Sequence, residues 1–483
     1  MDFIEPSFIF IFLPVFFLLH TLASKKFRNI ILLIASIIFF FNNHYYQLLV
    51  LFLSISINFY LGRKIEIEQQ DERVSRRYLL WGIVFNAGML LFFKLLEVMD
   101  LRWLSGFFPF IKSDTAWQII LPLGLSYITF QNISYLVDVF NEVCKSEKKL
   151  INYLLYTLLF PKILVGPIVL YRDLKYQLQN REINIDRIAQ GARRFIIGLA
   201  KKALIADALG RTIKNCLNLD GPKFSTGLAW FILLGYALEL YFDFSGYTDM
   251  ALGIGRMLGF SFVENFNYPY IAESVTDFWR RWHISLSSWV REYIFIPLEF
   301  KRRKEKFLRQ QSNIIIAFLI MGLWHGPTIN FVIYGLIHGL ALALEMSFLS
   351  KLLNRVWRPL RHIYTLSIVL IGWVFFRTPS PDFAVKFLGR LVGFGGPVDV
   401  LPFPLTRPLP IIDPSVWLAF FLGIFFCLPI APWIMKWVNK FIPQNGFKSV
   451  IEITFDVILI GLFIFSMASI SSATFVGNIY ADF

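Results

Sequence analysis

The chain has 483 residues, of which 56% are hydrophobic, 18% aromatic and only 17% charged, well below the roughly 25% charge of a soluble globular chain. Its net charge of +14 would suit nucleic acid in a soluble protein. In so apolar a chain the excess Lys and Arg belong to cytoplasmic loops, and no nucleic-acid partner is expected. The three cysteines, Cys144, Cys216 and Cys427, lie far apart, so neither a disulfide framework nor a thiolate metal site is expected.

Apolar blocks recur along the chain at 6–23, 30–41, 48–61, 78–93, 119–139, 228–241, 314–323, 331–344, 363–376, 416–430 and 457–470. A helix needs about 20 mostly apolar residues to cross a bilayer, and several blocks are shorter. Backbone in lipid must satisfy its own hydrogen bonds, which leaves helices as the spanning form. The expected fold is therefore all-α and polytopic, with roughly ten transmembrane helices plus broken, re-entrant pieces. Asp2 and Glu5 precede the first block where a cleavable signal needs positive charge, so that block is expected to stay as a membrane helix. "SKKFR" (24–28) comes directly after it and places the N-terminus outside. There is no internal repeat or Gly/Ser linker, and one membrane domain over 1–483 is expected.

Mixed-charge loops occur at 63–77, 141–149 and 171–187. Helix breakers interrupt the apolar runs three times: Pro122 and Gly124 in "LPLGLSYITFQ", Pro161 and Pro167 in "LLFPKILVGPIVLYRD", and Gly326 with Pro327 in "GLWHGP". Such breaks are tolerated at membrane depth where protein or a watery cavity receives the freed backbone groups, so a central tunnel is expected. Kinked packing is the plainer alternative for any one of them. Residues 187–213 alternate apolar and basic residues and read as an amphipathic helix at the cytoplasmic interface. The Pro-rich stretch 393–414 is expected outside or in the interface.

Ionisable residues within or beside the apolar segments are Lys162, Glu239, Asp243, Asp249, Arg280, Arg281, His283, His325 and His338. Charges at bilayer depth cost about 2.5–3.5 kcal/mol each on insertion scales, so they tend to be paired or functional. Asp243 and Asp249 are expected to bond neighbouring helices rather than to catalyse, and their spacing matches no metal-ligand pattern. In "DFWRRWHISLSSWVREY" the tryptophans Trp279, Trp282 and Trp289 with Arg280, Arg281 and Arg291 suit a membrane interface. The basic run 299–311 is placed in the cytoplasm. His325 differs from the other histidines. It lies deep in an apolar run, between Trp324 and the Gly326–Pro327 break. Gly326 permits close approach by backbone or ligand. A neutral imidazole there can serve as a general base without a standing charge in the membrane, although a satisfied core histidine is the competing reading.

Six stretches, 121–140, 158–174, 241–260, 265–298, 321–339 and 372–378, together resemble the membrane-bound O-acyltransferase family, in particular its bacterial branch that O-acetylates polysaccharides such as alginate. The resemblance implies helices around a central tunnel, a cytoplasmic acyl-CoA (acetyl-CoA) or other acyl thioester donor, and no permanently bound cofactor or metal. It implies catalysis by His325 of the Trp-His-Gly motif with His283 of the Trp-Arg-Arg-Trp-His motif. Trp324, Trp282, Arg280, Arg281, Asp243 and Lys162 become candidate substrate-binding residues. By analogy the chain would sit in the bacterial cytoplasmic (inner) membrane, among membrane lipid, and hand its acyl group to an extracytoplasmic SGNH-type acetyltransferase or acceptor protein. The sequence departs from its relatives at Lys162, often Gln, and at Ile329, often Trp. D-alanyl or other acyl transfer to teichoic acid or peptidoglycan, and a transporter or flippase, are the alternatives.

Overall fold

The structure, a computed structural model, describes residues 1–483 apart from 42–44, 99–121, 123, 164, 218–224, 306–307, 395–411, 431, 435, 437–446 and 473–483. Every regular element among the described residues is a helix. Six of them are long and apolar enough to cross a membrane: Gln47–Ile67, Glu72–Leu96, Thr226–Met257, Ile329–Leu353, Arg358–Arg377 and Val450–Ser472. Phe8–Leu22 and Pro414–Phe426 are shorter apolar helices. The blocks at 30–41 and 314–323 fall in helices of only 17 residues, Lys25–Phe41 and Arg309–His325, short of the roughly 20 that a perpendicular crossing needs. The start of the 119–139 block and most of 393–414 lie outside the described residues.

The chain forms two compact units, residues 1–185 with 258–262, and residues 186–257 with 263–482. The first holds α1 (Leu13–Leu22), α2 (Lys25–Phe41), α3 (Tyr45–Ile67), α4 (Glu72–Val98), α5 (Leu125–Phe140), α6 (Leu150–Leu158), α7 (Phe160–Ile163) and α8 (Tyr171–Gln179). Two of the predicted breaks are here. Gly124 caps α5 at a positive φ of 77°, a conformation that costs glycine little. α7 lasts one turn, and residues 167–170 run on without helix to Tyr171. Polar side chains knit α3, α4, α5 and α6 inside this unit. Asn58 and Asn86 exchange amide hydrogen bonds at 3.0 and 2.7 Å, Asn132 donates to Asn86 Oδ1 at 3.2 Å, and the Tyr153 hydroxyl donates to Asn132 Oδ1 at 2.9 Å. The loop at 141–149 is pinned by Glu147, which accepts from the Tyr171 hydroxyl at 2.7 Å and from the amides of Lys148 and Lys149.

The second unit begins with α9 (Ile185–Ala200), a π-turn at Lys201–Ala206 and α10 (Asp207–Leu217). These pack on α11 (Thr226–Met257), which is buried on nearly every face. The approach is close: a Cβ on Gly198 would come 2.5 Å from the carbonyl oxygen of Gly246. Three basic residues of this region are held by carboxylates of the protein. Arg194 and Lys201 both engage Asp249, at 2.9 and 2.6 Å, and Lys202 engages Asp243 and Asp207, each at 2.6 Å. The carboxylates within α11 draw the cations inward, because a charge left alone at that depth costs more than an ion pair. Burial pushes the Asp207 carboxyl up to about 6 despite the neighbouring Lys202. The unit continues through α12 (Val275–Trp279), α13 (Ile284–Val290), α14 (Ile296–Lys301), α15 (Arg309–His325), α16 (Ile329–Leu344), α17 (Ser350–Leu353), α18 (Arg358–Arg377), α19 (Pro381–Leu391) and α20 (Pro414–Phe426) to the final helix Phe447–Ser472.

Candidate active site

α15 ends at His325 because of the two residues after it. Pro327 disfavours a helical conformation in the residue before it, and Gly326 is extended at φ 173°, ψ 154°. The chain then turns back as α16, which packs along α15. His325 is 5% exposed. Aromatic rings cover it: Trp324 at 4.5 Å, Phe376 at 4.9 Å, and Phe331 and Tyr334 each at 5.9 Å between centroids. What approaches Gly326 is the Phe331 ring, whose Cε2 would lie 2.7 Å from a Cβ there. Asn330, at the start of α16, donates to the Thr378 carbonyl at 2.6 Å and ties the His325 turn to the end of α18.

His283 is set by a second break. α12 is only five residues long, yet its N-terminus is held firmly. The Ser274 hydroxyl accepts from the Asp277 amide at 2.9 Å. The buried Glu345 carboxylate accepts from the amides of Val275 and Thr276 at 2.8 and 2.9 Å, and from the Thr276 hydroxyl at 2.6 Å. The chain leaves α12 and begins α13 at His283, a left-handed residue with φ 43° and ψ 55°. Left-handed geometry in a residue with a Cβ costs of order 1 kcal/mol and persists where the surroundings impose it. Here Asn265 does so. Its Oδ1 accepts from the Ser285 amide at 3.1 Å and the Ser285 hydroxyl at 2.9 Å, and lies 3.1 Å from His283 Nδ1. An oxygen receiving those donors is an acceptor, so His283 carries its proton on Nδ1. Nε2 is then the basic nitrogen. The Phe244 ring stands edge-on to the imidazole at 4.7 Å.

The tryptophans of this stretch are not an interfacial belt. Trp279, Trp282 and Trp289 are 7%, 1% and 5% exposed, because the short helices fold back into the protein. Trp282 packs on Phe266, Phe278 and Trp373 at 5.1, 5.6 and 5.0 Å. Trp373 in turn meets Phe376 at 5.6 Å. A continuous wall of rings thus runs from the residue beside His283 to the ring that covers His325.

A cavity of about 480 Å³ opens beside this wall, within the size range of small-molecule sites. Trp279, Phe318, Met321 and Leu342 form apolar walls, and Ser287, Ser288, Arg280 and Arg291 supply polar groups. Met321 lies one turn before His325 on α15. Neither Arg280 nor Arg291 forms an ion pair among the described residues. Arg281 is different: it is engaged by Asp277 at 2.9 Å and by the Asn267 carbonyl at 3.2 Å. Asp243 is held by Lys202. Lys162 lies in the first unit, wholly buried, donating to Gln131 Oε1 at 2.5 Å with its ammonium 4.5 Å from the Tyr156 ring centroid.

Sequence reasoning did not single out Asn265, Glu345, Tyr334 or Phe376. Asn265, Tyr334 and Phe376 stood inside the six stretches but carried no signal of their own. Glu345 caps amides 70 and 69 positions away, a pairing that only the folded chain shows.

Two buried imidazoles, with a cavity lined by Arg280 and Arg291 on the same stretch of elements, make up the candidate site in a chain whose helices are long and apolar enough to cross a membrane. The family model of the MBOAT, membrane-bound O-acyltransferase family, matches residues 27–377, and the chain belongs to that family. It is 37% identical over 401 residues to the probable alginate O-acetylase AlgI of Pseudomonas aeruginosa, covering 82% of this chain and 75% of that protein. Against the peptidoglycan O-acetyltransferase of Helicobacter pylori it is 35% identical over 430 residues, covering 81% and 80%. Against the teichoic acid D-alanyltransferase of Bacillus subtilis it is 30% identical over 311 residues, covering 62% and 78%. The protein is thus a multi-pass membrane O-acyltransferase of the bacterial branch that holds the alginate O-acetylases. Membership of an enzyme family replaces the transporter reading.

Proposed function

We propose that this protein moves an acetyl group from a cytoplasmic thioester, acetyl-CoA, across the bacterial inner membrane for O-acetylation of a cell-surface polysaccharide. The observation that carries the reading is the placement of His325, buried at the end of α15, one turn beyond the Met321 that lines the cavity. Arg280 and Arg291 line the same cavity and suit the phosphates of the donor, since guanidinium pairs with phosphate through two parallel hydrogen bonds. The two relatives that are named as acetylating enzymes cover more of the chain than the D-alanyl-transferring one, which favours acetyl over D-alanyl.

In the reaction, the His325 imidazole takes the proton of the acceptor hydroxyl. The oxygen attacks the thioester carbonyl, a C–O bond forms and the C–S bond breaks. The thiolate leaves and takes the proton back from the imidazolium, so no net proton is consumed. His283, basic at Nε2, positions the donor carbonyl side of the exchange or shares the proton. The basic residues at 25–28 and 301–304 face the cytoplasm under the positive-inside rule. An extracytoplasmic SGNH-type acetyltransferase is the proposed carrier of the group to the final polymer.

Purified protein incubated with radiolabelled acetyl-CoA and an oligosaccharide or carrier-protein acceptor tests this. Label in an ester on the acceptor, lost in His325→Ala, supports the proposal. No transfer from acetyl-CoA, or transfer undiminished in His325→Ala, overturns it.

A further inference from the structure

His338 attracted no role from the sequence, yet it joins the cavity wall to the His325 surround. It is fully buried on α16. The Trp279 indole nitrogen lies 3.3 Å from His338 Nδ1. An indole N–H can only donate, so Nδ1 is the acceptor and the imidazole is neutral with its proton on Nε2. Nε2 faces Gly372 of α18, where a Cβ would come within 2.6 Å. Only a residue without a side chain leaves that ring its place. Nε2 has no hydrogen-bond acceptor among the described residues, so the bond to Trp279 is what orients the ring.

From this pair the contacts run both ways. Trp279 lines the cavity and packs edge-on against Phe318 at 5.0 Å. His338 stands against Tyr334 at 4.9 Å, and Tyr334 against His325 at 5.9 Å. The order Trp279, His338, Tyr334, His325 therefore leads from cavity wall to imidazole. A thioester whose head lies at Arg280 and Arg291 would direct its acyl end towards the apolar wall of Trp279, Phe318, Met321 and Leu342.

Resting on the proposed donor site, we infer that Trp279, pinned by His338, is the wall that limits the donor to a short acyl group. His338 is a positioning residue: it acts through the indole and does not touch the reacting atoms. One methylene in a fitted apolar pocket changes kcat/KM by about tenfold or more. Loosening the indole should therefore relax the preference for a two-carbon over a four-carbon group by at least that order.

The test measures kcat/KM for acetyl-CoA and butyryl-CoA in the full-length wild-type protein and in Trp279→Phe, His338→Leu, His338→Asn and the double variant Trp279→Phe/His338→Leu. Trp279→Phe keeps a ring but loses the N–H and some bulk. His338→Asn keeps an acceptor close to the Nδ1 position. The inference expects the acetyl-to-butyryl ratio to fall about tenfold in Trp279→Phe and in His338→Leu. It expects no further fall in the double variant, because both changes release one wall, and a ratio near wild type in His338→Asn. If His338→Leu does not fold, Trp279→Phe and His338→Asn still decide the matter. Unchanged ratios in a wild-type background that transfers acetyl overturn this inference alone. A wild-type protein that transfers neither group overturns the donor reading, and this inference with it.

Discussion

One cluster of buried polar groups in each unit shows two opposite ways of burying them. In the first, Asn58, Asn86, Asn132 and Tyr153 answer one another with hydrogen bonds of 2.7 to 3.2 Å across four helices. In the second, His325 and His338 are enclosed chiefly by aromatic rings, and His283 stands edge-on to Phe244. An amide network that answers itself and nearby groups such as the Ser54 and Gly82 carbonyls holds helices together. An imidazole walled by hydrocarbon keeps a lone pair or proton at a set place, ready for a reactant. On the proposed mechanism the first arrangement serves architecture, while His283 and His325 of the second serve chemistry, and substitutions should separate them.

The largest effect should come from His325. His325→Ala should lower acetyl transfer by roughly 10²–10⁴-fold, the usual worth of a general base, with the thermal midpoint in detergent little changed. Asn265→Leu comes next. It removes the acceptor that places the His283 proton on Nδ1, so transfer should fall by about 10- to 100-fold. Glu345→Ala should act on fold first, since it strips the acceptor from the buried Val275 amide and the half-buried Thr276 amide at the start of α12. A loss of about 1–3 kcal/mol is expected, read as a lower melting temperature with transfer reduced in step. Asn86→Leu should mark the other side of the comparison. It leaves the amides of Asn58 and Asn132 without their shared acceptor, costing about 1–2 kcal/mol, while kcat/KM of the folded protein stays at the wild-type value. A catalytic loss there at full stability would dissolve the distinction.

The sequence carried some of this plainly. Long apolar runs announced helices, and Pro161, Pro167, Gly326 and Pro327 announced breaks, because both signals are local. His325 stood out since its neighbours in the chain are also its neighbours in the fold: Trp324, Gly326 and Phe331 all touch or shape its site. Charge partners were less legible. Residues 187–213 read as an amphipathic helix, and nothing local announced that Asp249 and Asp243 of α11 pair with Arg194, Lys201 and Lys202. The tryptophans at 279, 282 and 289 looked interfacial because composition cannot tell a ring in a belt from a ring in a core. His338 was passed over for the same reason. Its partners Trp279 and Gly372 are far from it along the chain, on α12 and α18.

The central claim is that His283, held by Asn265 and edge-on to Phe244, and His325, caged by rings that lead through Phe376 and Trp373 to Trp282, serve one acyl transfer. Single-turnover transfer from radiolabelled acetyl-CoA in wild type, His283→Ala, His325→Ala and the double variant tests it most directly. Residues that act as a unit are strongly non-additive when removed. The account predicts a large loss in each single variant and a double variant little slower than His325→Ala. Losses that simply multiply, or a His283→Ala protein as fast as wild type, would contradict it and leave His283 as a core histidine that caps α13.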